Sequence, residues 1–311
     1  MKFFDAEQTA AALTYPELID ALRRYFSTDI EAPLRHVHTM PNKDEHDPML
    51  LLKPAWAKDG EFGGTKLLTF TPDNGQRNLP AIDGAYVLFS REDGRLLALM
   101  DAKPMTAKRT AAASALAADY LARKDAKVHL VIGSGAVGSE LPHAHRAVRD
   151  IERTLIWSRD EQGAKKLVEK LNQQGLKAEH CADLEAGVRE ADIISSATPS
   201  SEPLIFGKWL QPGQHVDLIG SFREDMREAD NEAVSRAEVF IDCDAAPEES
   251  GDLIQPIKSG VLKEDDIRGD LVALCAGKAK RESNDAITLF KSVGTALEDL
   301  AAAEVVYKHY S

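Results

Sequence analysis

The glycine run Gly133-Ser134-Gly135-Ala136-Val137-Gly138 follows the apolar stretch Val128-His129-Leu130-Val131-Ile132 and precedes a polar, helix-forming segment. Each glycine has a physical reason. Gly133 suits a tight turn, Gly135 lets backbone approach a pyrophosphate, and Gly138 allows a helix to pack close on a strand. The helix start then offers free N–H groups and the positive end of a dipole. Gly133, Gly135, Ala136, Val137 and Gly138 are therefore candidates to cradle a dinucleotide. The next apolar run ends at Trp157-Ser158-Arg159-Asp160. A hydroxyl followed by a guanidinium suits a ribose 2′-phosphate, so Ser158 and Arg159 favour NADPH over NADH. Asp160 is an acidic alternative standing slightly late. Ser195-Ser196-Ala197-Thr198-Pro199 closes a later strand, on the edge that faces the cofactor in such folds, which makes Thr198 a further candidate contact.

A second set of residues is cationic. Asp101-Ala102-Lys103-Pro104-Met105-Thr106-Ala107-Lys108-Arg109 enters an alanine-rich helix. With Thr106 as its expected cap, Arg109 falls in the first turn. A cation there is mildly unfavourable, but helix start plus guanidinium would make a receptor for a carboxylate or phosphate. Lys66 and Arg35 stand singly in apolar strand-like runs. His36 and His38 share a strand face, but no third ligand is spaced to complete a metal site, and no metal is expected.

These residues need elements to hold them. The first 125 or so residues read as mixed α and antiparallel β. Thr14-Tyr15-Pro16-Glu17 has the form of a capping box, followed by a stripe of Leu18, Leu22, Tyr25 and Phe26. Strands are expected at 34–40, 49–53, 66–71, 85–90 and 95–100, the last two joined by a hairpin through Asp93-Gly94. From Lys127 onward, short apolar runs at 128–132, 153–157, 178–180, 192–197, 216–219 and 239–242 mostly alternate with polar helical stretches. That rhythm predicts an α/β fold with a Rossmann-type doubly wound parallel sheet. A long helix is expected at 295–309, packing back on the first domain. The charge count, 51 acidic against 38 basic and a formal net of −13, argues against a broad basic face for nucleic acid. No apolar run suits a membrane span or a signal peptide, and three widely spaced cysteines suit reduced thiols, so a cytoplasmic protein is expected.

Met100-Asp101…Thr106-Ala107-Lys108-Arg109-Thr110-Ala111-Ala112-Ala113 resembles the signature helix of the ornithine cyclodeaminase/μ-crystallin family. So does Ile287-Thr288-Leu289-Phe290-Lys291-Ser292-Val293-Gly294 with Ala296 and Asp299-Leu300, and the glycine loop, Ala197-Thr198-Pro199 and Gly64-Thr65-Lys66 follow the same order. The resemblance implies a homodimer with a mixed α+β substrate-binding and dimerisation domain (1–115 and 285–311) split around a dinucleotide-binding domain (116–284). It implies that Arg35, Lys66 and Arg109 hold a substrate carboxylate, with Lys66 and Arg109 catalytic. Ser292 is then expected near the nicotinamide and Val293 near the substrate. Cyclodeaminases of the family carry an aspartate where Phe222 stands, and an acidic residue in the strand matching Leu50-Leu51-Leu52-Lys53-Pro54. Their absence, and the segment Ser221-Phe222-Arg223-Glu224-Asp225-Met226-Arg227-Glu228, resemble instead the Δ1-pyrroline-2-carboxylate and ketimine reductase branch. That branch usually has a proline near Glu224, which this chain lacks. The implied activity is NADPH-dependent reduction of small cyclic imino acids to proline or pipecolate. The alternatives are ornithine cyclodeamination, alanine dehydrogenation, or NADPH-gated binding without turnover.

Overall fold

The computed structural model describes residues 1–43, 45–77 and 79–311. In chain order the first elements are β1 (Lys2–Phe4), α1 (Ala6–Ala12), α2 (Tyr15–Phe26), β2 (Ile30–Glu31), β3 (His36–Thr39), β4 (Met49–Ala57), β5 (Phe62–Phe70), β6 (Ile82–Ser90), β7 (Leu96–Asp101) and α3 (Ala102–Leu121). Then come β8 (Val128–Ile132), α4 (Ala136–Arg146), β9 (Arg153–Trp157), α5 (Glu161–Gln173), β10 (Ala178–His180), α6 (Leu184–Glu190), β11 (Ile193–Ser196) and β12 (His215–Leu218). The last are α7 (Asn231–Arg236), β13 (Ala237–Ile241), α8 (Ala246–Glu249), α9 (Gly251–Lys258), α10 (Leu271–Cys275), β14 (Ile287–Lys291) and α11 (Ala296–His309).

Two compact units result. One comprises Met1–Arg109 with Thr295–Ser311, the other Thr110–Gly294. The returning segment thus starts at 295, not at the expected 285. The reason is β14, which pairs in parallel with both β12 and β13 and so belongs to the second unit's sheet.

The first unit is built on a sheet ordered β1-β7-β6-β5-β4-β2, with β3 also on β4. All pairs are antiparallel except β1 with β7. One register row runs across it: Lys53 opposite Lys66, Lys66 opposite Tyr86, Tyr86 opposite Met100. Residues directly opposite share a face, and all four are buried. Helix α11 packs against β4, β5 and β6, and also against α2, whose Leu18, Leu22, Tyr25 and Phe26 form the expected buried stripe, joined by buried Ile19. Thr14 does precede α2, but its hydroxyl donates to the Glu17 carboxylate at 2.9 Å and makes no side-chain bond to a helix N–H, so the full capping box is not formed there.

The second unit is a parallel sheet ordered β10-β9-β8-β11-β12-β14-β13, with helices in its connections, as the alternating rhythm implied. Leu130, Ile132, Ile194, Val216, Leu218 and Leu289 form its strand core. Strands covered on both faces read as near-continuous apolar runs. The chain leaves β8 toward β9 on one side and returns to β11 on the other. That reversal is the topological switch point, where the carboxyl ends of the strands open a crevice. No helix among the described residues is long and apolar enough to cross a membrane.

Candidate active site

In the first unit, the two predicted cations Lys66 and Arg109 meet at the start of α11. Lys66 Nζ donates to Asp299 Oδ1 at 2.8 Å, and Arg109 Nε donates to the same oxygen at 3.0 Å. Arg109 Nη1 also donates to Glu298 Oε2 at 2.6 Å. Lys66 further reaches Thr106 Oγ1 at 3.4 Å. Helix α11 presents these carboxylates because its start is well defined: Thr295 Oγ1 accepts from Leu297 N–H, and Glu298 Oε1 accepts from Thr295 N–H, a complete capping box. Acidic residues in a first turn also face the favourable end of the helix dipole.

The route to Arg109 differs from the expectation. Helix α3 begins at Ala102, with Asp101 Oδ1 accepting from Lys103 N–H at 2.8 Å, so Thr106 lies inside the helix and is not its cap. Arg109 sits about two turns in, too far to feel the dipole's positive end. What holds it is the pair of carboxylates 189 and 190 positions away. Arg35 lies just before β3, half-buried, and its charge is felt by Lys53. Lys53 is a further member of the cluster that the local sequence Leu50-Leu51-Leu52-Lys53-Pro54 does not mark. Cross-strand register with Lys66 is the signal that would have found it. Exposed His36 and His38 share β3 but do not join this cluster.

Burial sets the electrostatics. Lys66 and Asp299 are 1% and 0% exposed. Burial, with Arg109 and Lys53 adding repulsion, brings the Lys66 ammonium down to about 7 against the opposing pull of Asp299. Lys53 is lowered for the same leading reason, burial. For Asp299, burial alone would raise the carboxyl, but Lys66, Arg109 and Lys53 outweigh it and hold it at about 2. The second oxygen of Asp299 and the hydroxyl of Tyr86 are buried and make no hydrogen bond among the described residues.

In the second unit the glycine run forms the turn between β8 and α4. Gly133 has φ +113 and donates N–H to Trp157 O at 2.8 Å, tying the turn to the tip of β9. A Cβ on Gly138 would lie 2.2 Å from Gly133 O, whereas a Cβ on Gly135 would meet nothing within 4 Å. Crowding on two sides and open space at the third is the cradle a pyrophosphate requires, and α4 starts there with no side-chain cap on its N–H groups. Ala136 and Val137 are the first residues of that helix. Ser158 and exposed Arg159 stand at the β9 tip, and Ser158 Oγ accepts from Asp160 N–H at 3.3 Å. These residues fit a dinucleotide.

Thr198 lies against the glycine turn, its Cγ2 3.1 Å from where a Gly133 Cβ would sit. Its hydroxyl, however, donates to Glu228 Oε1 at 3.0 Å, so it serves the protein's own scaffold. Glu228 was not singled out by the sequence reading. It also accepts from Thr198 N–H at 2.8 Å, Ser196 Oγ at 2.6 Å and Gly220 N–H at 2.6 Å. Ser292 Oγ, Val293 N–H and Gly294 N–H all donate to Asp242 Oδ2, at 3.2, 2.9 and 2.6 Å. Asp242 thus holds the turn after β14 in place. Asp225 is exposed and paired with Arg223 at 2.7 Å.

A parallel sheet with a glycine-lined turn at its switch point, joined in one chain to a sheet bearing a buried cation cluster, defines a two-unit α/β protein with the anatomy of a dehydrogenase. The chain belongs to the ornithine cyclodeaminase/mu-crystallin family, whose model matches residues 6–311. It is 40% identical over 299 residues to the Delta(1)-pyrroline-2-carboxylate reductase of Paracoccus denitrificans, covering 92% of this chain and 94% of that one. It is 31% identical to the ketimine reductase mu-crystallin of Rattus norvegicus, with coverage of 97% and 93%. Among solved structures, the Thermococcus litoralis Delta(1)-pyrroline-2-carboxylate reductase in complex with NADH and L-proline superposes with a TM-score of 0.93 at 32% identity, covering 99% of this chain and 97% of that one.

Proposed function

We propose that this protein is a nicotinamide-dependent reductase of small cyclic imino acids, converting Δ1-pyrroline-2-carboxylate or its six-membered homologue to L-proline or L-pipecolate. The observation that carries the reading is the buried cation cluster of Lys66, Arg109 and Lys53, in a family whose reductase members act on such carboxylates. Gly133, Gly135, Ala136, Val137 and Gly138 would hold the pyrophosphate, with Ser292 toward the nicotinamide. When bound, the reduced cofactor supplies a hydride to C2 of the C=N bond.

The chain's own residues do the rest. Arg109, its plane fixed by Glu298 and Asp299, and Arg35 receive the substrate carboxylate. Lys66 lies beside Arg109 and donates a proton to the imine nitrogen. The iminium so formed is the better electrophile, because hydride addition neutralises its charge. One hydride and one proton convert the imine to a secondary amine. A lysine poised near 7 can give up its proton at neutral pH and regain it from solvent.

Ser158 and Arg159 at the β9 tip support NADPH over NADH. The family resemblance supports a homodimer, and three cysteines without disulfides suit the cytoplasm. The test is an assay of NADPH and NADH consumption with five- and six-membered cyclic imino acids, beside ornithine and alanine in the oxidative direction. Imine-dependent oxidation of NADPH is expected. Ammonia release from ornithine, NADH formation from alanine, or tight NADPH binding without any turnover would each replace this reading with a different one.

A further inference from the structure

Asp299 links the two reacting cations of the cluster. Asp299 Oδ1 accepts from Lys66 Nζ at 2.8 Å and from Arg109 Nε at 3.0 Å, so one buried oxygen joins two residues that are 43 positions apart in sequence and stand on different elements. Glu298 anchors Arg109 independently through Nη1. Among the described residues Lys66 bonds no second carboxylate: its other bond is to the neutral Thr106 hydroxyl at 3.4 Å.

The groups facing Lys66 come from every element packed on it. Lys53 of β4 and Arg109 of α3 repel its charge, with Arg35 adding to the field at Lys53. Tyr86 of β6, opposite in register, is a neutral hydroxyl within the field of Asp299. On α11, Glu298 is taken up by Arg109, and Glu304 lies further along, bonded to Tyr25 of α2. Among these groups Asp299 is the anion that bonds Lys66 directly. A buried ammonium surrounded by cations loses its proton readily unless a bonded carboxylate opposes this.

We propose that Asp299 is a positioning residue of the reaction: it holds Lys66 beside Arg109 and keeps it protonated, so that the proton donor and the carboxylate receptor act as one unit. The proposal rests on the reading of Lys66 as proton donor. It assigns Asp299 no contact with substrate. It also explains why an aspartate is buried at the start of α11 with one oxygen doing double duty.

The experiment follows the Lys66 ammonium directly, by ¹⁵N NMR of lysine-labelled protein, with the resonance assigned from its loss in Lys66→Met. Removing the neighbouring negative charge lowers proton affinity. In Asp299→Asn the Lys66 midpoint is therefore expected to fall by about one pH unit or more. The alkaline limb of kcat/KM for imine reduction should move down with it, and Asp299→Glu should restore part of both. Asp299→Ser removes the same charge with a smaller side chain and supplies the second variant if Asp299→Asn does not fold. An unmoved midpoint in Asp299→Asn or, in its place, in Asp299→Ser overturns the proposal. So does a moved midpoint with an unmoved kcat/KM limb. If the wild-type protein reduces no imine, the proposed function fails on its own, while the NMR titration still decides whether Asp299 controls Lys66.

Discussion

Each unit buries an ionic network, and the two are opposites in sign. In the first, Lys66, Arg109 and Lys53 gather around Glu298 and Asp299. In the second, Glu228 and Asp252 gather around Lys291, with Lys291 Nζ 3.1 Å from Asp252 and 4.0 Å from Glu228. All of these groups are buried. The outcome for the carboxylates differs accordingly. Asp299 is held at about 2 by its cations. Glu228 rises to about 7, because burial and the nearby Asp252 outweigh Lys291 and the hydrogen bonds it accepts. The comparison separates two uses of buried charge. A cation-rich cluster has capacity for an incoming anion. An acid-rich one spends its oxygens on backbone N–H groups and fixes the ends of β11 and β12.

The largest expected effect tests the first network. Arg109→Ala removes a guanidinium that bonds two buried carboxylates, and kcat/KM for imine reduction should fall by about 100-fold or more. Steady-state kinetics at saturating cofactor reads this, and retention of full activity would remove Arg109 from the site. Glu228→Gln is the counterpart. Both Glu228 oxygens accept from buried donors; an amide accepts through one end only, and each buried donor left unsatisfied costs about 1–3 kcal/mol, so the urea midpoint should drop below wild type. A drop under about 1 kcal/mol would mean that Glu228 is not the organiser of the strand ends.

The pH dependence of stability should sharpen the contrast. Glu228 binds its proton more tightly folded than at its ordinary 4.5, so its contribution is present below 4.5 and lost as pH rises through about 7. Asp299 is the reverse: its contribution is present above 3.8 and lost as pH falls toward about 2. Denaturant melts across pH should therefore flatten between 4.5 and 7 in Glu228→Gln, and only in the acid range in Asp299→Asn. Identical profiles would erase the distinction. Smaller still is Arg159→Ala. Loss of a charge-assisted bond to a 2′-phosphate should raise KM for NADPH about tenfold and leave KM for NADH unchanged. Equal effects on both cofactors would reject the role given to Arg159. The smallest change is Thr295→Ala, which removes the cap of α11 and should cost about 1 kcal/mol in a thermal melt.

The glycine turn was legible because its geometry is local. Gly133 to Gly138 span six consecutive residues, and the reasons for each glycine lie in that turn and the strand beside it. For Arg109 the helix-start argument does not hold. Its helix starts at Ala102, and its environment comes from Glu298 and Asp299 rather than from a helix terminus. Lys53 was overlooked because its importance is a matter of register, which pairs it with Lys66 across two antiparallel strands. Thr198 was placed correctly at the end of its strand, but Glu228, which claims its hydroxyl, lies 30 positions away.

By itself the sequence determined the alternation that yields the parallel sheet, the glycine turn and the family to which the chain belongs, because periodicity and short motifs act over a few residues. Tertiary structure alone decided which charges are paired. Lys66 and Asp299 are 233 positions apart, and no pattern in the chain says that one buried oxygen will take two cations. Burial then decided how those charges behave: once water is excluded, a proton's position depends on the exact neighbours that folding supplies.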